Sequence, residues 1–376
     1  MFYYLALWIR QTWHLPGFGV FQYITFRAAA AAITALLISF IFGPKIIRAL
    51  KKRQIGEQAK TELTDIGSHS LKAGTPTMGG LIVLLALLLP TLLWADLLNM
   101  FVILIILTTA WLGAVGFLDD YLKVIKKLPN GLIGKYKLVG QIAIGLIVGS
   151  VIFFFPELFS KNFEKFNTLT TIPFAKDFNF DFGWFYIPIV IFIITATSNA
   201  VNLTDGLDGL AMGTVGIVIL ALGIISYVTG NAVFSDYLNI MYLRGTDELV
   251  IFCSALVGAS LGFLWFNAYP AQVFMGDTGS LALGGAVGCL CVLLKKEFLL
   301  PILGGIFFAE TVSVILQVSY FKYTRKRYGE PRRLFKIAPL HHHFEKSGWH
   351  ESKIVVRFYI MAVMLAIIAM TTFKVR

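Results

Sequence analysis

NMFVILIILTTAWLGAVGFLDDYLK, residues 99–123, is the stretch of sequence that decides the fold. The run from Asn99 to Leu118 carries no charge, and about 20 such residues are enough to cross the hydrocarbon core of a bilayer. It ends in two adjacent carboxylates, Asp119 and Asp120. Acids can simply end a span, but carboxylates beside hydrocarbon are costly and mark functional sites. Two like charges this close repel each other unless a cation neutralises them, so the pair favours a metal or metal-managed phosphate chemistry.

The composition identifies an integral membrane protein of the helical class. Of its 376 residues, 57% are hydrophobic and only 14% are charged, about half the charged fraction of a soluble domain. The apolar runs are longer than the alternating ten-residue segments of a membrane β-barrel. Length and apolarity predict about ten transmembrane helices. Their limits are 22–43, 78–94, 99–118, 137–155, 184–200, 209–229, 248–266, 279–294, 298–321 and 353–373.

The distribution of basic residues predicts the topology. With both termini extracytoplasmic, the cytoplasmic loops hold roughly 19 Lys and Arg and the opposite loops about 9, as the positive-inside rule requires. We expect one polytopic domain over residues 1–376, with an extracytoplasmic N-terminal segment at 1–21 and a core at 22–376. The first twenty residues lack the features of a signal peptide, so we expect the chain to be mature. The three cysteines lie in apolar runs and are predicted to be buried and free.

Five polar stretches fall in the predicted cytoplasmic loops, each near the end of a span. They are residues 68–80, 119–135, 199–209, 267–280 and 339–345. The lysines of the second stretch could contact anionic lipid head groups, but they also surround an acid pair, which favours phosphate. Asp277, in a glycine-rich segment, is a hard oxygen ligand suited to Mg²⁺. Phe274 could pack in the core or stack on a nucleobase.

Two features have competing interpretations. Three consecutive histidines, residues 341–343, diverge in any regular backbone, so hydrogen bonding to phosphate or sugar is favoured over zinc binding. Glu310 and Gln317 lie seven residues apart on one face of a predicted span. They could be functional groups, or they could form structural hydrogen bonds between helices. A transporter would place more polar groups at mid-membrane. The residues therefore favour metal-assisted phosphoryl transfer at the cytoplasmic surface.

The stretches GTPTMGG (74–80), DDYLK (119–123), NLTDGLDG (202–209), FMGDTGSLALGG (274–285) and PLHHHFEKSGW (339–349) together closely resemble one family. It is the polyprenyl-phosphate N-acetylhexosamine-1-phosphate transferases. The triple histidine and FMGDTGSLALGG favour its muramoyl branch over the branch that uses UDP-N-acetylglucosamine. The resemblance runs from about Lys45 to the C-terminus.

The resemblance implies a Mg²⁺-dependent enzyme of the bacterial cytoplasmic (inner) membrane, with its active site facing the cytoplasm. Its substrates are UDP-N-acetylmuramoyl-pentapeptide and undecaprenyl phosphate, and its products are lipid I and UMP. It is surrounded by membrane lipids, is usually a homodimer and has no nucleic-acid partner. The sister transferase that loads N-acetylglucosamine-1-phosphate is the rival enzyme, and an ion-coupled transporter is the rival of another class.

The resemblance also assigns roles to residues of this sequence. Catalytic roles fall to Asp119, Asp120, Asp277 and His341, with Asp277 as the Mg²⁺ ligand. Substrate-binding roles fall to Lys72, Thr77, Lys123, Lys135, Asn202, Asp205, Gly206, Leu207, Asp208, Asn267, Phe274, Gln317, His342 and His343, with Phe274 stacking on the uracil.

Two routes of attack stay open, direct attack by the lipid phosphate or a phospho-enzyme formed on an aspartate. A phosphate monoester with a second pKa of about 6 is already largely a dianion, so it needs orientation more than deprotonation, which favours direct attack.

Overall fold

The computed structural model describes residues 1–14, 17–52, 74–128, 131–160, 162–175 and 178–373. The regular secondary structure of the described residues is almost entirely helical. The helices are α1 (Phe2–Trp13), α2 (Ile24–Lys52), α3 (Gly80–Trp94), α4 (Met100–Val124), α5 (Gly134–Phe154), α6 (Tyr186–Thr204), α7 (Leu210–Gly230), α8 (Ala232–Tyr237), α9 (Leu249–Asn267), α10 (Gly276–Leu293), α11 (Leu300–Leu303), α12 (Gly305–Tyr328), α13 (Leu340–Glu345) and α14 (Glu351–Thr371). This architecture confirms the predicted all-α class.

The membrane-spanning helices begin close to the predicted starts, while α2, α4 and α12 extend beyond the predicted ends. Within the described residues, eight helices are long and apolar enough to cross a bilayer, and a bent pair adds a ninth. The predicted span 78–94 is the shorter apolar helix α3, of fifteen residues. The chain is therefore a multi-pass membrane protein.

The predicted span 298–321 is wrong as a single straight helix. Residues Glu297–Leu303 and Gly305–Tyr328 form two helical segments that meet at an angle of 83°. The break falls at Gly304, three residues after Pro301. Proline lacks a backbone N–H and glycine pays the largest entropic cost in a helix, so the two residues together favour a break here. The long segment α12 then carries the polar face predicted from residues 310 and 317.

Helix α10 is the central element of the bundle. Small residues line it, and all of its residues from Thr278 to Leu293 are buried. A Cβ at Gly284 would lie 2.6 Å from the Cα of Ser198 in α6, and one at Gly285 would overlap Leu112 in α4. Close backbone approach of this kind is how small residues support helix packing in membranes. The three cysteines are buried and free, as predicted.

The aromatic segment 156–183 folds against one end of the bundle. It contains short 3₁₀ turns and a two-stranded antiparallel sheet, β1 (Leu169–Thr171) with β2 (Asn179–Asp181), in which Thr170 pairs with Phe180. Thr170 donates a 2.5 Å hydrogen bond to the buried carboxylate of Glu297, and the Lys295 ammonium donates to the carbonyl oxygen of Asn167 at 2.6 Å. These contacts fasten the segment to the turn after α10, at the end opposite to Asp277.

Candidate active site

Glycines let the backbones of α3 and α4 touch the first turn of α10. A Cβ at Gly80 would overlap the backbone of Gly279, and one at Gly116 would overlap the carbonyl oxygen of Asp277. Gly276, where α10 begins, has a φ of 73°, in the left-handed region that residues with a side chain rarely adopt. Because α4 approaches so closely, the carboxylates one turn further along it face the start of α10.

Three carboxylates meet at this junction and form what we call the acid cluster. One oxygen each of Asp119, Asp120 and Asp277 lie within 4.8 Å of one another. Asp119 is fully buried and Asp120 nearly so. Two ammonium groups offset the charge: Lys137 Nζ lies 2.9 Å from Asp119 Oδ2 and contacts Asp277, and Lys123 Nζ contacts Asp119 and lies 3.3 Å from Asp277 Oδ2. The sequence predicted this proximity between residues more than 150 positions apart.

The two adjacent aspartates have different surroundings. Asp120 accepts hydrogen bonds from the backbone N–H of Asp277 at 3.1 Å, the N–H of Thr278 at 2.9 Å and the hydroxyl of Thr278 at 2.6 Å. It therefore caps the N-terminus of α10, where N–H groups have no partner within the helix and a negative charge is favourable. Asp119 faces the two lysines and accepts one backbone bond, from Leu132 N at 2.8 Å. Asp120 fixes the start of α10, and Asp119 carries the charge that faces the lysines.

Lys137 is a site residue that the sequence reasoning missed. Lys135 was predicted instead, and its side chain is exposed, while Lys137 bridges Asp119 and Asp277. The two lysines lie on different faces of the first turns of α5. A usable signal was present in the sequence, because Lys137 lies four residues before Gln141 and therefore on the same helix face. In the structure, the buried amide of Gln141 donates to Ser198 Oγ at 2.9 Å.

The third polar stretch reaches the acid cluster through Asn202 near the end of α6. Its side-chain Nδ2 donates to Asp277 Oδ1 at 2.9 Å and to Ser280 Oγ at 2.7 Å. Asp205 is three residues further along, half-buried, in the turn that joins α6 to α7. Asn202 thus ties the turn carrying Asp205 to the first turn of α10.

The remaining predicted residues of this turn serve to hold neighbouring segments. Leu207 and Asp208 are buried, and Asp208 Oδ2 accepts from the N–H of Ala271 at 3.0 Å. Asn267 bridges the same segments, since its Oδ1 accepts from Gly209 N at 3.1 Å and its Nδ2 donates to the carbonyl oxygen of Val273 at 2.9 Å. Asp208 and Asn267 therefore shape the 268–275 segment from within the fold.

The first and fourth polar stretches pair through their backbones. Phe274 N donates to Pro76 O at 2.8 Å, and Gly79 N donates to Phe274 O at 2.7 Å. The ring of Phe274 is half-buried, and Thr77 Oγ1 lies beside Gly276, 3.0 Å from where a Cβ would stand. The pairing places Thr77 and Phe274 at the same helix ends as the acid cluster.

The three histidines take three different sets of contacts. His341 is fully buried, and its ring packs so closely on Gly206 that a Cβ there would overlap Nε2. His342 Nδ1 lies 3.0 Å from Glu345 Oε2, and His343 Nδ1 accepts from Lys336 N at 3.2 Å. In the described part of the chain the acid cluster is the one His, Cys, Asp and Glu group with metal-ligand proximity. The preference for hydrogen bonding to phosphate or sugar over zinc binding at the three histidines stays a prediction.

Gln317, predicted as a substrate contact, binds the backbone of a neighbouring segment. The side-chain oxygen of Gln317 accepts from the N–H of Leu334 at 3.0 Å and of Phe335 at 2.9 Å, and its Nε2 donates to Phe335 O at 3.2 Å. Gln317 therefore holds the segment between α12 and α13. Lys72 lies outside the described residues.

The acid cluster fits a hard divalent cation. It offers carboxylate oxygens from two helices, the ligand type that Mg²⁺ takes from proteins alongside substrate phosphates. The Lys137 ammonium lies between Asp119 and Asp277 and shows that the position attracts positive charge. The donor set therefore suits Mg²⁺ held by Asp277 with Asp119.

Comparison with known proteins agrees with this geometry. The model of glycosyl transferase family 4 matches residues 102–295, and phospho-N-acetylmuramoyl-pentapeptide-transferase signature 1 matches residues 72–84. Proteins called phospho-N-acetylmuramoyl-pentapeptide-transferase are similar over their whole lengths and that of this chain. The relative from Chloroherpeton thalassium is 54% identical over 376 residues, that from Salinibacter ruber 51% over 390, and that from Flavobacterium psychrophilum 50% over 411.

The chain belongs to the phospho-N-acetylmuramoyl-pentapeptide-transferase family. This confirms the resemblance drawn from the five stretches, including its muramoyl branch. As a member of that family the chain is a transferase of peptidoglycan synthesis. The signature at 72–84 starts at Lys72 and includes Thr77, so it covers the first of the five stretches.

Proposed function

We propose that the chain transfers phospho-N-acetylmuramoyl-pentapeptide from its UDP derivative to undecaprenyl phosphate, with release of UMP and formation of lipid I. One observation carries the proposal: Asp277 contacts the two lysines that also bind Asp119, and on its other side it accepts a hydrogen bond from Asn202. A charged cluster at shared helix ends, next to a turn rich in hydrogen-bonding groups, can receive a soluble nucleotide diphosphate and a lipid head group together.

The residues of the cluster divide the work. Asp277, with Asp119, would hold Mg²⁺, which when bound supplies Lewis-acid neutralisation of phosphate oxygens. Lys123 and Lys137 place two ammonium groups at the same point, and such groups suit phosphate oxygens as point charges. Asp120 keeps the first turn of α10 in place, so that the orientation of Asp277 is set before substrate arrives.

The contacts of the two aspartates support direct attack by the lipid phosphate. Asp120 accepts three hydrogen bonds, and Asp119 faces two ammonium groups as well as a backbone N–H. Carboxylate oxygens engaged in this way are poorer nucleophiles than free ones. The lipid phosphate is already anionic and needs mainly to be oriented. Release of UMP from enzyme and nucleotide substrate without lipid phosphate would overturn direct attack.

We place this site on the cytoplasmic face of the bacterial inner membrane, with both termini outside, on the distribution of Lys and Arg. This orientation lets the polar nucleotide substrate reach the site without crossing the membrane. The family resemblance also implies a homodimer. A mass measurement of the purified protein in detergent tests this.

The deciding experiment is a UMP-release assay with purified protein and undecaprenyl phosphate. UDP-N-acetylmuramoyl-pentapeptide and UDP-N-acetylglucosamine are supplied separately, with Mg²⁺ or with a chelator. We expect UMP release only with the muramoyl substrate and Mg²⁺. Release from UDP-N-acetylglucosamine alone identifies the sister transferase, and undiminished release in chelator removes the metal. Substrate uptake into proteoliposomes without UMP identifies a transporter.

A further inference from the structure

The strongest feature outside the acid cluster is a buried carboxylate next to a buried imidazole. Glu310 of α12 and His341 at the start of α13 are both 0% exposed. Glu310 Oε1 accepts the backbone N–H of His341 at 3.2 Å and lies 3.3 Å from its Nδ1. The pair joins a membrane-spanning helix to the histidine stretch, and nothing in the acid cluster requires it.

The pair leaves polar atoms unsatisfied. Within the described residues, Glu310 Oε2 and both ring nitrogens of His341 are buried without an aligned hydrogen bond. Leaving such an atom unpaired in the interior is unfavourable. The ring lies with Nδ1 toward Glu310 and Nε2 against Gly206, in the turn that carries Asp205 and that Asn202 ties to Asp277. The unpaired Nε2 thus lies against the turn whose residues the family resemblance assigns to substrate binding.

Helix α12 holds the histidine stretch at two points. Gln317, seven residues after Glu310 and so on the same helix face, binds the backbone of Leu334 and Phe335. Glu310 binds the backbone of His341 from the other end of that segment. The segment from Leu334 to His341 is fastened at both ends to one rigid helix and has little freedom, so α12 restricts the direction of the imidazole.

We infer that Glu310 is a positioning residue that acts through His341, presenting its Nε2 to substrate beside Gly206. A carboxylate at one ring nitrogen decides which nitrogen carries the proton and which stays available to a ligand. The inference rests on the proposed function, in which His341 is a catalytic residue. In this inference Glu310 orients the His341 ring. This role differs from the metal-binding and nucleotide-binding roles of the other residues.

The test is a double-mutant cycle on UMP release, with kcat normalised to nucleotide sites counted by equilibrium binding of UDP-N-acetylmuramoyl-pentapeptide. Glu310→Gln keeps an oxygen acceptor for the His341 N–H but removes the charge beside Nδ1. We expect kcat to fall about tenfold to hundredfold, which is at or below the smallest contribution of one acid–base group because the imidazole itself stays, while KM for the nucleotide changes less than about twofold. In a His341→Ala background the same change should cost less than about twofold, because its target is gone.

Ser313→Ala is the matched control, since Ser313 is buried on the same helix and donates to the carbonyl oxygen of Glu310 at 2.7 Å, a backbone contact that does not involve the Glu310 carboxylate. Its kcat should stay within about twofold of the unmodified chain. The inference is overturned if kcat is unchanged in Glu310→Gln, if the loss is confined to KM, or if the Glu310→Gln chain does not fold. It is also overturned if the losses of the two single variants multiply in the double variant. If one of these outcomes is found but the unmodified chain still releases UMP, the inference fails and the proposed function stands. No UMP release by the unmodified chain overturns both.

Discussion

At the scale of single residues, the acid cluster shows why residue type alone does not assign a role. Asp119 and Asp120 are adjacent and chemically identical, yet one faces two lysines and the other caps α10. Side chains next to each other on a helix point about 100° apart, so neighbours meet different partners. Each partner set yields a separate expectation.

Asp277→Asn should abolish turnover. The change removes a negative charge from the cluster while keeping the side-chain shape, so metal affinity falls. Substitutions behind a metal site already cost about 10–100-fold in affinity or activity, and a ligand should cost at least as much. UMP release measured against Mg²⁺ concentration checks this. Unchanged activity at low Mg²⁺ would remove Asp277 from the metal site.

Lys137→Met should lower UMP release by at least about tenfold, the effect of one charge-assisted contact of about 1.4 kcal/mol or more. The loss at Lys135→Met should be smaller, because Lys135 is exposed and Lys137 bridges two carboxylates. The two variants are assayed side by side at fixed protein and substrate. A larger loss at Lys135 would contradict the geometry.

Phe274→Ala should weaken binding of the UDP-sugar by about 1–3 kcal/mol, the contribution of one base–aromatic stack. The backbone pairing of Phe274 with Pro76 and Gly79 does not use the ring, so the variant should fold. Isothermal titration with UDP-N-acetylmuramoyl-pentapeptide measures the change. If nucleotide affinity is unaltered, the ring only packs.

At the scale of elements, the sequence predicts which helices exist but not how they are shaped or what their polar faces touch. The starts of the ten apolar segments were located within a few residues, whereas α2, α4 and α12 continue well beyond their predicted ends, because bilayer thickness sets the length of a span but not how far its helix extends into a loop. The bend at Gly304 was not predicted, because membrane helices tolerate Pro and Gly and these residues alone do not predict a break. The contacts of Gln317 with the 334–335 backbone were not predicted, since a one-dimensional pattern does not show which loop folds back over a helix.

The contact of α4 with α10 depends on Gly116. An added methyl group at this position overlaps the backbone carbonyl oxygen of Asp277, which cannot rotate away as a side chain can. Gly116→Ala should therefore cost about 1–3 kcal/mol of stability by overpacking, with a lower Tm and lost UMP release. Gly134→Ala is the matched control, because nothing lies within 4 Å of its added Cβ. Equal Tm values for the two variants would show that α4 and α10 can separate at no cost.

At the scale of the whole molecule, five polar stretches spread over some 270 residues converge because alternate helix ends fall on the same side of the bundle. The sequence predicted this convergence from topology, and the contacts of Phe274 with Pro76, Asn202 with Asp277 and His341 with Gly206 agree with it. The lysine that completes the cluster and the partner of Glu310 depend on side-chain direction, which packing decides. The orientation of the bundle in the membrane remains a prediction, and it can be measured directly.

Single cysteines at the two ends of the bundle should react from opposite sides of the membrane. Lys126 is exposed just after α4, on the end that carries the acid cluster, and Val233, in α8, is 76% exposed at the other end. The three native cysteines are buried, so they give little background. In intact spheroplasts, a membrane-impermeant maleimide should label Val233→Cys and should label Lys126→Cys only after permeabilisation. Because Lys and Arg are concentrated on the Lys126 side, the reverse pattern would require the positive-inside rule to fail for this chain and would move the active site to the outer surface.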